Sequence, residues 1–207
     1  HLSLRRQRQM CIRDSYMQEA VPVGTGAMAA VLGLEAAEVA AACAEAAQGE
    51  VVSPANMNGA GQVVIAGTTA AVARAGECAK ARGAKRVIPL AVSAPFHCAL
   101  MQPAEARLAP ELRALRASDP RVPVVANVDA EPKRTAAAAI DALIAQVSSP
   151  VRWEQVVQRL VTEGVTTFVE IGPGTVLSGL VKKIHREATV LSVGTPEDVR
   201  ALQALRR

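Results

Sequence analysis

Aromatic side chains are almost missing from this chain: Tyr16, Phe96, Trp153 and Phe168 are all that 207 residues contain. A platform that binds single-stranded nucleic acid by base stacking is thereby excluded. The core has to be built from alanine, valine and other small aliphatics, which the 50% hydrophobic content supplies. No apolar run approaches the roughly 20 residues of a membrane helix, and no apolar stretch follows the N-terminal charges as a secretory signal requires. C-x-x-C pairs are absent. Cys11, Cys43, Cys78 and Cys98 lie far apart, so they read as reduced thiols of a cytosolic protein, not as a disulfide framework or a metal site. The formal charge is +4, but Arg5, Arg6, Arg8 and Arg13, with no acid among the first thirteen residues, account for the excess. The remainder is near balance, and no nucleic-acid-binding face is implied. Also absent are the G-x-S-x-G turn that presents a serine nucleophile and the G-x-x-x-x-G-K phosphate loop.

The first 15 residues, HLSLRRQRQMCIRDS, carry no apolar period and no capping signal, and QMCIRDS resembles a translated sequencing-adapter end. They are set aside as an adapter-derived or disordered tail (1–15), followed by a linker (16–25). Regular patterning begins at Gly26. Residues 26–32 predict a strand, 35–48 a helix with early acids and Gly49 as its stop, and 51–57 a strand ending in a turn at Asn58-Gly59. A hairpin partner follows at 62–66, then a helix over 68–82 capped by Thr68 or Thr69, and a strand over 86–92 whose Pro89 suits an edge. Strand, helix, strand, strand, helix, strand is the βαββαβ, ferredoxin-like order, closing over 26–92. From 93 to 207 helices are expected at 100–116, 140–147, 151–163, 176–184 and 197–205, with strands at 122–126, 167–171 and 189–193. This alternation predicts a parallel sheet covered on both faces. Three strands are few for such a sheet, so part of it is expected to lie elsewhere.

His97 is the leading candidate for chemistry. It follows a strand in Ser93-Ala94-Pro95-Phe96-His97-Cys98, where α/β sheets face their ligands. There a histidine is either a general base or a packed, capping residue. Cys98, about 100° away on a helix, is placed in packing, and His185 in a solvated helix end. Gly172-Pro173-Gly174 reads as a tight strand-to-helix turn, since proline removes a donor that a phosphate loop would use. Asn56 and Asn58 could hold a ligand or serve the turn.

Five segments together resemble the malonyl-CoA:acyl carrier protein transacylases. They are MQEAVPVGTGAMAAVLGL (17–34), ANMNGAGQVVIAG (55–67), SAPFHCALM (93–101), SSPVRW (148–153) and VEIGPGTVLSGLVKKI (169–184). The resemblance implies an α/β fold, a hydrolase-like parallel-sheet core, partial here, with an inserted ferredoxin-like subdomain. It implies ping-pong transfer of malonyl from malonyl-CoA through a serine to the phosphopantetheine thiol of acyl carrier protein, by a cytoplasmic enzyme that needs no cofactor and is a monomer at full length. His97 matches the catalytic histidine and Gln146 the residue whose carbonyl orients it. Arg13, four before Met17, matches the arginine that grips the malonate carboxylate, although Asp14 stands where the family has glycine. Met17 lines the same pocket, and the Phe96 ring leaves no room for an α-methyl branch. The family's GQGSQ and GHSxGE segments, the latter carrying the nucleophile, are not in this sequence. The chain alone is therefore expected to be inactive and poorly soluble. The alternative is a non-catalytic module that binds acyl carrier protein, but such a module has no need of His97, Gln146 and Phe96 together.

Overall fold

The computed structural model describes residues 12–22 and 24–204, which fall into two compact units parting after Trp153. The expected division between 92 and 93 is not where they part. Val151 N–H donates to Ala55 O and Val151 O accepts from Met57 N–H, both at 2.8 Å, and this ties the 147–153 segment to the four-stranded sheet. No helix among the described residues is long and apolar enough to cross a membrane.

In the first unit, residues 12–20 form helix α1. It covers the last four residues of the expected tail and the first five of the expected linker. Ile12, Tyr16, Ala20 and the buried Met17 and Val21 fall on one helical stripe and pack against Ala94, Met101, Ala104, Leu108 and Val147. Arg107 adds a polar clip at the margin of this contact: its guanidinium lies 4.1 Å over the Tyr16 ring and 2.6 Å from Glu19. Of the segment 1–15, residues 12–15 are helical; residues 1–11 lie outside the described residues.

Strands β1 (Gly26–Leu32), β2 (Val52–Gly59), β3 (Gln62–Thr68) and β4 (Arg86–Pro89) form an antiparallel sheet of order β2-β3-β1-β4. Helices α2 (Ala36–Ala47) and α3 (Thr69–Ala81) complete the βαββαβ order. Pro89 sits on an edge strand, where its missing N–H does least harm. Thr68 caps α3 by accepting the Ala71 N–H. The hairpin turn lies two residues later than the Asn58-Gly59 pair suggests. Ala60 (φ 52°) and Gly61 (φ 69°) both take left-handed backbone, and Gly59 pairs with Gln62.

Both faces of β1 are covered, and this is why it reads as an unbroken apolar run. Ala29 and Val31 meet Val39, Ala42, Cys43, Val72 and Ala75 of the two helices. Met28 and Ala30 face the opposite way, with Val64, Ala66 and Cys98 buried against them and Phe96 and Leu100 at the margin. The second face thereby fixes the turn that carries His97.

Downstream lie α4 (Gln102–Arg113), β5 (Val124–Val125), β6 (Pro132–Lys133) and α5 (Ala136–Ala145). The strand expected at 122–126 does not join a parallel sheet; it shortens to β5 and pairs antiparallel with β6. Asp129 closes the intervening turn by accepting the Glu131 N–H, with Ala130 at φ 58°. The alanine run at 136–139 is the first turn of α5, capped by Thr135.

The second unit holds α6, whose range Trp153–Thr162 starts at the division, then β7 (Thr167–Ile171), α7 (Val176–Ile184), β8 (Thr189–Val193) and α8 (Pro196–Ala204). Strands β7 and β8 pair in parallel. Ile171 is 81% and Val176 73% exposed, so an apolar surface is left open on this unit.

Gly67 gives the fold a direct test. A Cβ there would stand 2.1 Å from Val51 O and 2.7 Å from Val52 Cα. Gly67→Ala should destabilise the chain by about 1–3 kcal/mol through forced backbone movement. Urea unfolding measures it, and a loss below about 0.5 kcal/mol would show that β2 and β3 are not so closely opposed.

Candidate active site

The segment after β4 runs through Ala94 and Pro95, both buried, into a tight turn at Phe96 and His97. Gly26 permits this path: a Cβ on it would lie 2.4 Å from the Pro95 ring. His97 takes left-handed backbone at φ 60°. A non-glycine residue held there costs of order 1–3 kcal/mol and persists only where its surroundings fix it. The buried Pro95 and Cys98 on either side do so. The Cys98 thiol donates to Pro95 O at 3.1 Å, and Met101 N–H to Cys98 O at 2.9 Å. Burial pushes the Cys98 thiol above its ordinary range, so it packs and does not attack.

Helix α5 supplies the partner. The last carbonyls of a helix have no intrahelical donor, and Gln146, which ends α5, has its carbonyl oxygen 3.0 Å from His97 Nδ1. A carbonyl only accepts, so Nδ1 carries the proton and Nε2 is left as the basic nitrogen. The Gln146 side chain holds the same turn: its Nε2 donates to Ser149 O at 2.8 Å and to Pro150 O at 3.3 Å. Burial lowers the His97 pKa from 6.5, and the nearby Arg13 charge adds to this. The Gln146 and Ser149 carbonyls act in the opposite sense without cancelling it. The ring is neutral at pH 7 and able to take a proton.

A cavity of about 740 Å³ opens beside the ring. Arg13, Met17, Phe96, His97 and Gln146 all line it, so five of the sequence candidates share one site. Arg13 and Met17, four apart on α1, are neighbours on one helical face. Asn56 and Asn58 are not among the lining residues. Asn56 lies in β2, bridged to Val151, and the two register shifts of the β2–β3 pair flank it. Sequence reasoning did not single out Gln18, whose Nε2 donates to Ser93 O at 3.1 Å, or Leu108, Leu112 and Leu143, which form the apolar wall. An apolar cavity holding a neutral imidazole and a guanidinium can bind an anionic acyl group and move a proton beside it.

The Gly172-Pro173-Gly174 turn lies in the second unit. Glu170 accepts from Leu177 N–H at 3.1 Å and Ser178 N–H at 2.7 Å. A resident carboxylate thus occupies the first turn of α7, where a phosphate loop would hold its ligand.

The lowered His97 pKa fixes the sign of a pH effect. The unfolded chain binds the proton more readily, so the stability tied to the neutral ring is full above about pH 6.5 and is lost as pH falls below it. In urea unfolding, the wild-type chain should lose more stability than His97→Gln between about pH 7.5 and about pH 5.5. Equal losses would show that the ring is not held neutral by burial.

The acyl transferase domain family model matches residues 6–202. The malonyl CoA-acyl carrier protein transacylase of Salmonella typhimurium is 51% identical over 185 residues, 89% of this chain and 60% of that protein. A 1.7 Å crystal structure of an acyl carrier protein S-malonyltransferase from Vibrio cholerae superposes with a TM-score of 0.91 at 48% identity, covering 94% of this chain and 64% of that one. A type II PKS acyl-carrier protein in complex with its malonyl-transacylase also gives 0.91, at 47% identity over 95% of this chain and 64% of that one. The chain spans about 60% of the length of the curated relatives it matches. With the family model matching residues 6–202, nearly the whole of the chain, this chain belongs to the acyl transferase domain family.

Proposed function

We propose that this chain is the histidine-bearing part of an enzyme that moves a malonyl group from malonyl-CoA to the phosphopantetheine thiol of acyl carrier protein, a step that feeds fatty-acid synthesis. The observation that carries the reading is the pairing of His97 Nδ1 with Gln146 O at 3.0 Å in a cavity that Arg13 also lines. The malonyl transacylases matched over nearly the whole chain support it.

In this reading the nucleophile is a serine that these 207 residues do not present. His97 Nε2 takes the serine proton as the oxygen attacks the thioester carbonyl. The carbon–sulfur bond breaks, and the proton passes to the departing coenzyme A sulfur. In the second half His97 takes the proton of the carrier thiol, which attacks the acyl-serine ester, and returns it to the serine oxygen. Gln146 O steadies the imidazolium formed in each half. Arg13 holds the free carboxylate of malonyl, for which a guanidinium is suited in shape and charge. Met17 and Phe96 shape the acyl end, and the Phe96 ring disfavours an α-methyl branch. Strands β7 and β8 belong to a hydrolase-like parallel sheet into whose chain the βαββαβ unit is inserted.

The test is a chimera in which the leading part of the Salmonella relative, the part this chain does not match, is joined ahead of residue 12. Radiolabelled malonyl-CoA and holo acyl carrier protein are the substrates. The chimera should transfer malonyl, the 207 residues alone should not, and His97→Ala in the chimera should lose at least ~100-fold. A folded chimera that binds acyl carrier protein without transfer would favour a binding module. Undiminished transfer by His97→Ala would remove His97 from the chemistry.

A further inference from the structure

We infer that Asp14 is a specificity-determining residue of the acyl cavity, a built-in carboxylate that competes with the substrate for Arg13. The inference rests on the reading of this cavity as a malonyl site.

Asp14 and Arg13 both line the cavity, and Arg13 is the only basic side chain among the described lining residues apart from His97. Its Nε and Nη2 both donate to Asp14 Oδ1, at 3.0 and 2.8 Å. These two nitrogens form the edge of the guanidinium that grips a carboxylate with two parallel bonds. In this chain that edge is already taken. The side chains are 48% and 62% exposed, and an ion pair this open to water is weak enough to exchange. An incoming malonyl carboxylate can therefore displace Asp14, but it then docks beside the displaced negative charge. Both effects act against an acyl group that carries a carboxylate and leave an uncharged acyl group untouched. Asp14 thus narrows the preference for malonyl over acetyl that Arg13 provides.

Calorimetric titration of the 207-residue chain with malonyl-CoA, and separately with acetyl-CoA, tests this. Asp14→Asn keeps the size and removes the charge, on an exposed helix position where folding is not at stake. It should tighten malonyl-CoA binding about three- to tenfold and leave acetyl-CoA binding unchanged. Asp14→Glu keeps the charge and should stay at the wild-type value for both. Unchanged malonyl-CoA binding in Asp14→Asn, equal tightening of both ligands, or tightening in Asp14→Glu would each overturn the inference. Arg13→Ala separates the two levels. If it weakens malonyl-CoA binding while Asp14→Asn changes nothing, only the inference falls. If Arg13→Ala also changes nothing, the malonyl reading of the cavity falls and the inference with it.

Discussion

The hydrogen bond between His97 Nδ1 and the Gln146 carbonyl is the contact on which the rest of the site depends. It uses a group that every helix end leaves without an internal partner. It selects one tautomer, and so decides which ring nitrogen faces chemistry as a base. Two segments far apart in sequence must meet for it to form, each held by its own local means. The left-handed backbone of His97 is fixed by the buried residues flanking it. The Gln146 carbonyl is fixed by its own side-chain amide, which ties down the turn reaching Pro150.

The scarcity of aromatics bears on this arrangement. A core of alanine and valine lets two helices lie on one face of the four-stranded sheet while the other face takes up Phe96, Cys98 and Leu100. The strand that anchors the helices is also the floor beneath the histidine turn. Gly26, with no Cβ to meet Pro95, permits the close approach. The open, apolar surface on Ile171 and Val176 belongs to the second unit.

Much of this was legible in the sequence because local signals and tertiary packing agree. The strand at Gly26–Leu32 and the helix at Val176–Ile184 are legible from patterning, and cap chemistry narrows the start of α3 to Thr68 or Thr69, of which the structure uses Thr68. His97 stood out by its place after a strand. Its partner did not, since nothing in the composition around Gln146 tells of a helix-end carbonyl; a family resemblance pointed there instead. The turn at Ala60-Gly61 was missed because Asn58-Gly59 is the stronger local turn signal, and strand pairing overrode it. The short β5–β6 pair was hidden because two-residue strands carry no periodicity. Helix α1 was hidden by unusual composition: its apolar stripe becomes visible only once Ile12 is read together with Tyr16 and Met17. The competition between Asp14 and the site depends on a side-chain pairing that spacing does not disclose.

The central claim is that His97 is held as a neutral ring with its proton on Nδ1. Nitrogen-15 NMR of the histidine-labelled chain, with His97 assigned by comparison with His97→Gln, tests it most directly. The account predicts a protonated Nδ1, an unprotonated Nε2 and a titration midpoint below 6.5. A proton on Nε2, or a midpoint at or above 6.5, would contradict it.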